Sequence, residues 1–279
     1  MRKIRPILLL VAVSLIGAPG SMQIAWAQQP LVNDLTSGKR DTQAVAIIQK
    51  SLAALGGVNA IARVRTVESS GQIQKAGSQT PISFRWLTEV SGSHFEVRWE
   101  TTEGAKTHVF ASGHGRPGFG RSGQPGRELS AHMAMAALPL DAPAILLYAE
   151  FQDPTYAFTS LPASATDHLL HVQITNDRNF IMKAIVKQDW YFDPQTLLPV
   201  RIEHNAPSAE NALDSSRVSC VYRSYTAESG VQYPSSMQGL KDGRQITRIS
   251  IVSTQPNASI QSSEFDIQLA TPRARRARP

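Results

Sequence analysis

The chain has 279 residues, 42% of them hydrophobic, which is enough for one large domain or two small ones with a buried core. The single cysteine, Cys220, excludes an internal disulfide and a Cys-x-x-Cys metal site, and its strand-like surroundings are typical of a small buried residue. Segments 1–27 and 271–279 contain only basic charged residues, and together they account for more than the whole net charge of +6. The body between them is therefore near neutral, unlike a nucleic-acid-binding surface.

The N-terminus has the parts of a secretory signal peptide. Basic residues at positions 2, 3 and 5 precede an apolar run over 7–18, which is shorter than the roughly 20 residues of a membrane-spanning helix. Ala25 and Ala27 are small residues at the two positions that a signal peptidase reads. We therefore predict cleavage after Ala27 and a periplasmic mature chain with no transmembrane segment. The alternative, an uncleaved anchor, is disfavoured by the short apolar run.

One long amphipathic helix is predicted after the signal peptide. Residues 28–40 are polar and interrupted by proline and glycine, which is typical of a flexible leader. Asp41 then serves as an N-cap, and Gly56-Gly57 ends the helix. The residues that share its apolar face are Ala44, Ile47, Ile48, Leu52 and Leu55.

Beyond this helix the hydrophobic period changes to two, which predicts strands over 81–90 and 93–101. The apolar residues that share one face of these strands are Phe84, Trp86, Phe95, Val97 and Trp99. The nearby acidic residues are Glu89, Glu96, Glu100 and Glu103. We predict that these carboxylates are solvated ion-pair partners of Arg85 and Arg98 and not a catalytic cluster, because they lie on the polar strand face.

The stretch 113–126, GHGRPGFGRSGQPG, contains the spacing G-x-G-x-x-G at Gly118, Gly120 and Gly123. A dinucleotide-binding turn needs a strand before its first glycine and a helix starting at its last. Pro117 precedes the first glycine and Pro125 follows the last, so the context disfavours a nucleotide site. We predict a hairpin here, with the three glycines as a candidate hinge.

The rest of the chain predicts two short helices and then a ladder of strands. The helices lie at 130–138 and 142–150, where helix-forming residues surround two prolines. The predicted strands span 106–111, 156–161, 167–174, 187–192, 198–204, 217–226, 231–239 and 244–253. Strand follows strand without intervening helices, which favours one large, strongly curved antiparallel sheet with helices on its concave face.

Motifs for catalysis or for metal binding are absent from the sequence. None of the seven histidines lies in an H-E-x-x-H pattern, and neither a G-x-S-x-G elbow nor a phosphate-binding P-loop occurs. His168 and His171 are three residues apart, which places them on opposite faces of a strand. We therefore predict no catalytic residues, no metal, no cofactor and no enzymatic activity.

Three short motifs resemble those of LolA-like proteins, the periplasmic lipoprotein carriers and their outer-membrane lipoprotein-sorting relatives. Residues 192–201, FDPQTLLPVR, resemble the D-P-x-T-x-L-P hairpin of this family, and GVQYP at 230–234 is similar to the strand that follows it. The segment AALGGVNAI at 53–61 also resembles exported members. The resemblance covers residues 41–268 in element order, although its motifs are short turn signals.

The resemblance implies a mainly β fold, an unclosed barrel with an N-terminal helix and short lid helices across its mouth. It also implies a non-enzymatic binder of a lipid or of a lipoprotein acyl chain, and the alternative is an envelope sensor that engages another envelope protein. The candidate cavity lining is Phe84, Trp86, Phe95, Val97, Trp99, Leu138, Leu146 and Leu147. These side chains instead fill a closed core under the simpler interpretation. In the carriers a strand arginine bonds a lid helix, and Arg85 is a poor match because it lies on the polar face.

The predicted organisation therefore has four parts. A signal peptide spans 1–27, a flexible leader 28–40, a LolA-like half-barrel domain 41–268 and a basic tail 269–279. The tail is predicted to be disordered, and Arg273–Arg278 suit peripheral contact with an anionic membrane surface. No nucleic-acid partner is expected.

Overall fold

The computed structural model describes the half-barrel domain and only the last three residues of the predicted leader. The predicted signal peptide, the first lid helix, Gly123 and the basic tail lie outside the described residues. Within 103–137 the description is limited to the backbone of the strands. The described ranges are 38–91, 94–102, 104–111, 114–120, 127–128, 138–163, 167–178, 183, 186–207 and 215–265.

The predicted amphipathic helix is present as α1, Thr42–Ala54. The Asp41 carboxylate accepts hydrogen bonds from the backbone N–H of Gln43 at 2.7 Å and of Ala44 at 3.3 Å, which is the capping that the sequence predicted. The other described helices are α2 Val58–Ile61, α3 Pro143–Gln152 and a 3₁₀ helix at Ser262–Phe265. Helix α3 confirms the second predicted lid helix.

The end of α1 depends on a glycine that no other residue can replace without strain. Gly56 has a φ of 122°, and a Cβ placed on it would lie 2.1 Å from the carbonyl oxygen of Gly230. We expect Gly56→Ala to lower the free energy of unfolding by about 2 to 4 kcal/mol, since strain and a backbone clash act together. Gly243→Ala is the matched control, because its φ of 76° is also positive but its Cβ meets nothing within 4 Å. Equal shifts in urea midpoint would contradict the argument.

The described strands form one thirteen-stranded sheet in which every adjacent pair is antiparallel. The strands are β1 Thr66–Lys75, β2 Ile82–Ser91, β3 His94–Thr101, β4 Gly104–Ala111, β5 His114–Gly120, β6 Arg127–Glu128, β7 Tyr156–Leu161, β8 Leu170–Asn176, β9 Gln188–Phe192, β10 Pro199–Pro207, β11 Ser215–Glu228, β12 Val231–Lys241 and β13 Arg244–Pro256. Strands β1 and β13 pair in the middle, while β6 and β7 lie at the two edges. The sheet is therefore unclosed, as predicted.

One core cluster joins α1 and α3 to the sheet, on the face that we call the inner face. The cluster takes side chains from strands β1–β3 and β7–β12, with β13 packed against it. These ten strands would span more than 40 Å if they lay flat at about 4.8 Å spacing. Two helices, each about 10 Å in diameter, would cover only about half of that width. The sheet must therefore curve around the helices, as the predicted concave face requires. The largest fully buried side chains include Trp190, Tyr233, Phe158, Phe192, Ile48, Leu52, Leu146 and Leu147.

The opposite, outer face carries the charged side chains, and the ion pairs there differ in part from the prediction. Arg98 bonds Glu100 as expected, but Arg85 bonds Glu68 at 2.7 Å and Glu264 of the 3₁₀ helix at 2.6 Å, with Glu100 only at 3.9 Å. The prediction missed Glu68 and Glu264 because they are far from β2 and β3 in sequence. The 3₁₀ helix lies against this face, and Leu87 is completely buried there.

The glycine-rich stretch contains a strand that pairs antiparallel with both of its neighbours in the chain, as the predicted hairpin requires. Residues His114–Gly120 form strand β5, which pairs along its whole length with β4. Gly118 lies opposite Thr107 and Gly120 opposite Ala105, so both belong to a paired strand and not to a turn. Glycine favours bends, but ladder pairing with a neighbouring strand overrides that local preference at Gly118 and Gly120.

Candidate functional site

Three aromatic side chains form a wall on the inner face of β2 and β3. Trp86 and Trp99 are directly opposite each other across the strand pair, with ring centroids 6.2 Å apart. Phe84 meets Trp86 edge to face at 6.5 Å. Trp86 and Trp99 are only half-buried, whereas most inner-face aromatic residues of the described sheet are buried. The wall is therefore apolar surface that α1 and α3 do not fully cover.

The structure divides the predicted cavity-lining residues into two groups. Four of them belong to the packed core, where their side chains already contact the helices and the sheet: Phe95, Val97, Leu146 and Leu147. Phe84 is buried at 4% exposure, while Trp86, Trp99 and Leu138 remain half-buried. These four residues form the second group and lie at the border of the core, where a ligand could contact the half-buried ones without displacing a helix. Their role as ligand contacts remains a prediction.

Helix α3 is attached to the rest of the fold by polar groups just before its start and around its last turn. At its start, Tyr222 donates a hydrogen bond to the Leu140 carbonyl at 3.1 Å, and the Ser69 hydroxyl donates to the Asp141 carboxylate at 2.8 Å. Pro143 occupies the first turn of the helix, where its missing N–H costs nothing. These contacts tie the segment before α3 to β1 and β11.

The last turn of α3 contains a buried carboxyl group, Glu150. The side-chain amide N–H of Gln188 donates to the Glu150 carboxyl group, and the Gln188 side-chain oxygen accepts a hydrogen bond from Trp190 Nε1 at 2.7 Å. A short chain of hydrogen bonds therefore links the helix to the sheet. Burial raises the pKa of Glu150 to about 8, although the Gln188 hydrogen bond lowers it and the charge of Asp153 adds to the rise. Glu150 is therefore largely neutral at pH 7.

The end of α3 is held by Arg40, which lies in the described part of the leader. Its guanidinium donates to the backbone carbonyls of Phe151 at 3.0 Å and Asp153 at 2.7 Å. It also lies 4.9 Å from the centroid of the Phe158 ring, and its backbone forms an isolated parallel bridge to Phe158. A positive charge at a helix C-terminus stabilises the helix dipole. Arg85, the poor match for a lid arginine, bonds carboxylates on the outer face, whereas Arg40 bonds the backbone at the end of α3.

Comparison with known proteins places this architecture. No family model matches the chain, and no curated protein matches its sequence. A domain from Vibrio parahaemolyticus described as a candidate outer membrane lipoprotein-sorting protein domain superposes with a TM-score of 0.53 at 10% identity, over 80% of this chain and 96% of that one. The fold is LolA-like. A DUF1329 family protein from Desulfovibrio piger has a TM-score of 0.54 at 10% identity, over 80% and 97% of the two chains. A LolA superfamily protein from Nitrosomonas europaea matches at 0.47 and 11% identity, with coverage of 80% and 97%.

The outer face of this LolA-like sheet carries a polar network that sequence reasoning missed. His171 Nε2 lies 3.0 Å from Asp189, and Arg217 donates to Asp189 at 2.7 Å and to Glu203 at 2.6 Å. Burial raises the pKa of Asp189, but the hydrogen bonds from Arg217, Gln173 and His171 together hold it below its ordinary value. The register of β8, β9, β10 and β11 brings these residues together, and no local motif announces it.

The side chains of this network are engaged with one another. Asp189 is saturated by its three donors, and the His171 ring stacks on Tyr191 with centroids 4.4 Å apart. Among the described residues, no group of three or more His, Cys, Asp or Glu side chains is placed to hold a metal ion. In the same part of the chain, no helix is long and apolar enough to cross a membrane. The network therefore covers the sheet by polar packing.

The predicted hinge is only partly within the described residues. Gly118 and Gly120 lie inside β5, where Gly118 pairs on one side with Thr107 and on the other with Glu128. Gly123 lies between β5 and β6 and outside the described residues. A hinge formed by these glycines remains a prediction, and its bending point would have to follow Gly120.

Proposed function

We propose that this protein is an exported, periplasmic binding protein for a hydrophobic ligand, a lipid or a lipoprotein acyl chain, which it carries without catalysis. The observation that carries the proposal is the aromatic wall of Phe84, Trp86 and Trp99, which lies half-covered beside a helix-packed core. Burying an acyl chain contributes about 0.8 kcal/mol per methylene, so such a wall needs no charged group to hold one.

The attachment of α3 supports a role for this helix as a movable cover. Helices α1 and α3 both meet the core through apolar side chains, and α3 is tied in addition at three points by hydrogen bonds. Each hydrogen bond is worth about 1 kcal/mol, whereas burial of a large apolar side chain contributes about 1.5 to 3 kcal/mol, so α3 would separate only when a ligand replaces the apolar contacts that it loses. Separation would uncover Leu146 and Leu147 and extend the apolar surface beside the wall.

The likeness to known structures supports the choice of ligand class. The domain from Vibrio parahaemolyticus is described as belonging to outer membrane lipoprotein sorting, and a lipoprotein presents acyl chains to its carrier. A secretory signal peptide, cleaved after Ala27, would deliver the present chain to the compartment in which such carriers work. The mass of the processed protein, beginning at Gln28, tests that step directly.

Tryptophan fluorescence tests the binding proposal, because the chain has four tryptophans in distinct places. Trp26 belongs to the predicted signal peptide, Trp190 is completely buried, and Trp86 and Trp99 form the wall. A brominated fatty acid added to the exported, processed protein should quench the emission. Quenching should be lost in the double variant Trp86→Phe and Trp99→Phe, in which only Trp190 of the processed chain still emits.

Two further measurements complete the test. Lipid extracted from protein purified from the periplasm should contain acyl chains in a fixed molar ratio to the protein. If the extract holds no lipid and the brominated fatty acid quenches neither protein, the proposal is wrong. A single stoichiometric envelope protein in a pull-down, without lipid, would then favour the alternative of a sensor or interaction module.

A further inference from the structure

A group of polar side chains interrupts the apolar inner face at the centre of the sheet. Ser69 on β1 lies directly opposite Trp86 on β2 and Thr254 on β13, so the three form a row across neighbouring strands. Thr88 is the next inner residue of β2, two positions beyond Trp86. Directly opposed residues have Cβ atoms about 5 Å apart, so this row is a compact patch. We call it the polar patch.

Asp141 contacts the polar patch from the segment that leads into α3. It is fully buried, and one of its carboxylate oxygens accepts the hydrogen bond from Ser69 at 2.8 Å. Burial raises its pKa to about 6, although the Ser69 hydrogen bond lowers it. Tyr233 lies on β12, the strand next to β13, and is completely buried in the core cluster on the inner face. Burial raises the pKa of its hydroxyl, and the Asp141 charge adds to the rise. The polar patch therefore includes Asp141 and Tyr233.

Several polar atoms of the polar patch are buried without a hydrogen-bond partner among the described residues. They are Asp141 Oδ1, Tyr233 Oη, Thr254 Oγ1, Thr88 Oγ1 and Trp86 Nε1. A buried donor or acceptor left unpaired costs about 1 to 3 kcal/mol, so proteins rarely gather them unless something pairs with them. Trp86 belongs to the aromatic wall, and Thr88 follows it on the same face of β2, so the polar patch borders the aromatic wall.

We infer that the polar patch binds the polar end of the ligand, and that this ligand is an uncharged lipid with a hydroxyl or an amide group. The inference rests on the proposed function, since the acyl chain would lie along the aromatic wall. The unpaired atoms include a carboxylate acceptor, an indole donor and hydroxyls that both donate and accept. A hydroxyl or amide satisfies both kinds of group.

The charges around the polar patch disfavour an anionic end group. Asp141 repels a carboxylate or phosphate, and the arginines of the neighbouring strands face away from it. Arg85 and Arg98 bond Glu68, Glu100 and Glu264 on the outer face, and Arg40 is engaged at the far end of α3. Within the described residues, no cation therefore pairs with a ligand anion beside Asp141.

Matched ligands of one chain length test the inference. Lauryl alcohol, lauramide and laurate would each displace a wall-bound fluorescent probe from the processed protein at pH 8. We expect the alcohol and the amide to bind about tenfold more tightly than laurate, since they add hydrogen bonds and avoid repulsion. Asp141→Asn should tighten laurate by about tenfold and so remove the discrimination.

A second variant guards against a folding defect in the first. Tyr233→Phe keeps the ring and removes one hydroxyl, and it should weaken the alcohol and the amide about fivefold without changing laurate. Tyr191→Phe on the outer face is its control and should change none of the three affinities. If all three ligands bind equally and neither variant alters that, the inference fails while the proposed function stands. If none of the ligands binds, the proposed function and this inference fail together.

Discussion

Replacing Arg40 with alanine should release the end of α3 and speed the exchange of a bound ligand. Arg40 makes two hydrogen bonds to the last carbonyls of the helix, at 3.0 and 2.7 Å, and packs over Phe151 and Phe158. Hydrogen bonds to charged groups are worth about 1.5 to 3 kcal/mol each, and solvent at this half-exposed site reduces that value. We expect a loss of about 2 kcal/mol in the free energy that holds α3 down, and about a tenfold faster probe dissociation.

Hydrogen exchange measured by mass spectrometry gives the direct readout of this change. Amides of Pro143–Gln152 should exchange faster in Arg40→Ala, while those of Thr42–Ala54 should stay close to the wild-type rate. Arg40→Lys should be intermediate, since one ammonium reaches a carbonyl but lacks the planar fork of guanidinium. Arg63→Ala, on the exposed end of the α2 turn, is the matched control. Unchanged exchange in α3 would show that Arg40 does not hold the helix.

Local signals predicted those parts of the fold that are determined within a few residues. Asp193 accepts hydrogen bonds from the backbone N–H groups of Gln195 and Thr196 at 2.9 and 2.7 Å, which produces the turn that its sequence indicated. Asp242 and Gly243 both adopt positive φ, as a two-residue hairpin requires. Alternation in Phe95–Trp99 correctly separated the inner and outer faces of β3.

Alternation failed where a distant segment covers the outer face. Leu87 lies between Trp86 and Thr88 and points outward by its register, yet it is completely buried because the outer face of this region is covered. Strand β9 is buried along its whole length, since Asp189 and Tyr191 are covered by side chains from β8, β10 and β11. Alternation with a period of two predicts burial on only one face of a strand. The burial of Leu87 and of both faces of β9 therefore cannot be predicted from the sequence pattern.

The candidate site could be predicted only in its apolar half. The wall residues Phe84, Trp86 and Trp99 follow from alternation, because each belongs to a strand with a clear period. The polar groups come together from positions far apart in the chain, as with Ser69 and Asp141 or Arg40 and Phe151. Their meeting depends on β1 pairing with β13 and on α3 crossing the inner face, and neither arrangement leaves a local pattern.

The attachment of α3 through Glu150 predicts a stability that depends on pH. The pKa of this buried carboxyl is raised to about 8 in the folded protein, while in the unfolded chain it has the ordinary value of 4.5. Between these values the folded state binds more protons than the unfolded state, so this group lowers the free energy of unfolding as pH rises. His204 acts in the opposite direction, because burial lowers its pKa from 6.5 to about 4. Its contribution is lost as pH falls through that window.

Glu150→Gln should remove the alkaline loss and leave the acid side unchanged. The glutamine oxygen still accepts the hydrogen bond from Gln188, and no charge forms in the core as pH rises. Above pH 8 we expect the variant to exceed the wild type by on the order of 4 kcal/mol in free energy of unfolding, and below pH 4.5 the two should agree. Urea titrations at intervals across this range measure the difference.

The shape of the difference curve separates this explanation from a general packing effect. A packing change would shift the variant by a constant amount at every pH, whereas removal of one titrating group produces a slope confined to the window between the two pKa values. Wild-type stability should fall gently between about pH 4.5 and 6, where Glu150 and Asp141 together outweigh His204, and should keep falling above pH 6.5, where Glu150 titrates without opposition from His204. Since Glu150 bonds the sheet from the last turn of α3, ionisation should also loosen that helix. We therefore expect the α3 amides of the wild type to exchange faster at pH 9 than at pH 7, by more than the intrinsic rise measured in α1. Glu150→Gln should not show this extra increase.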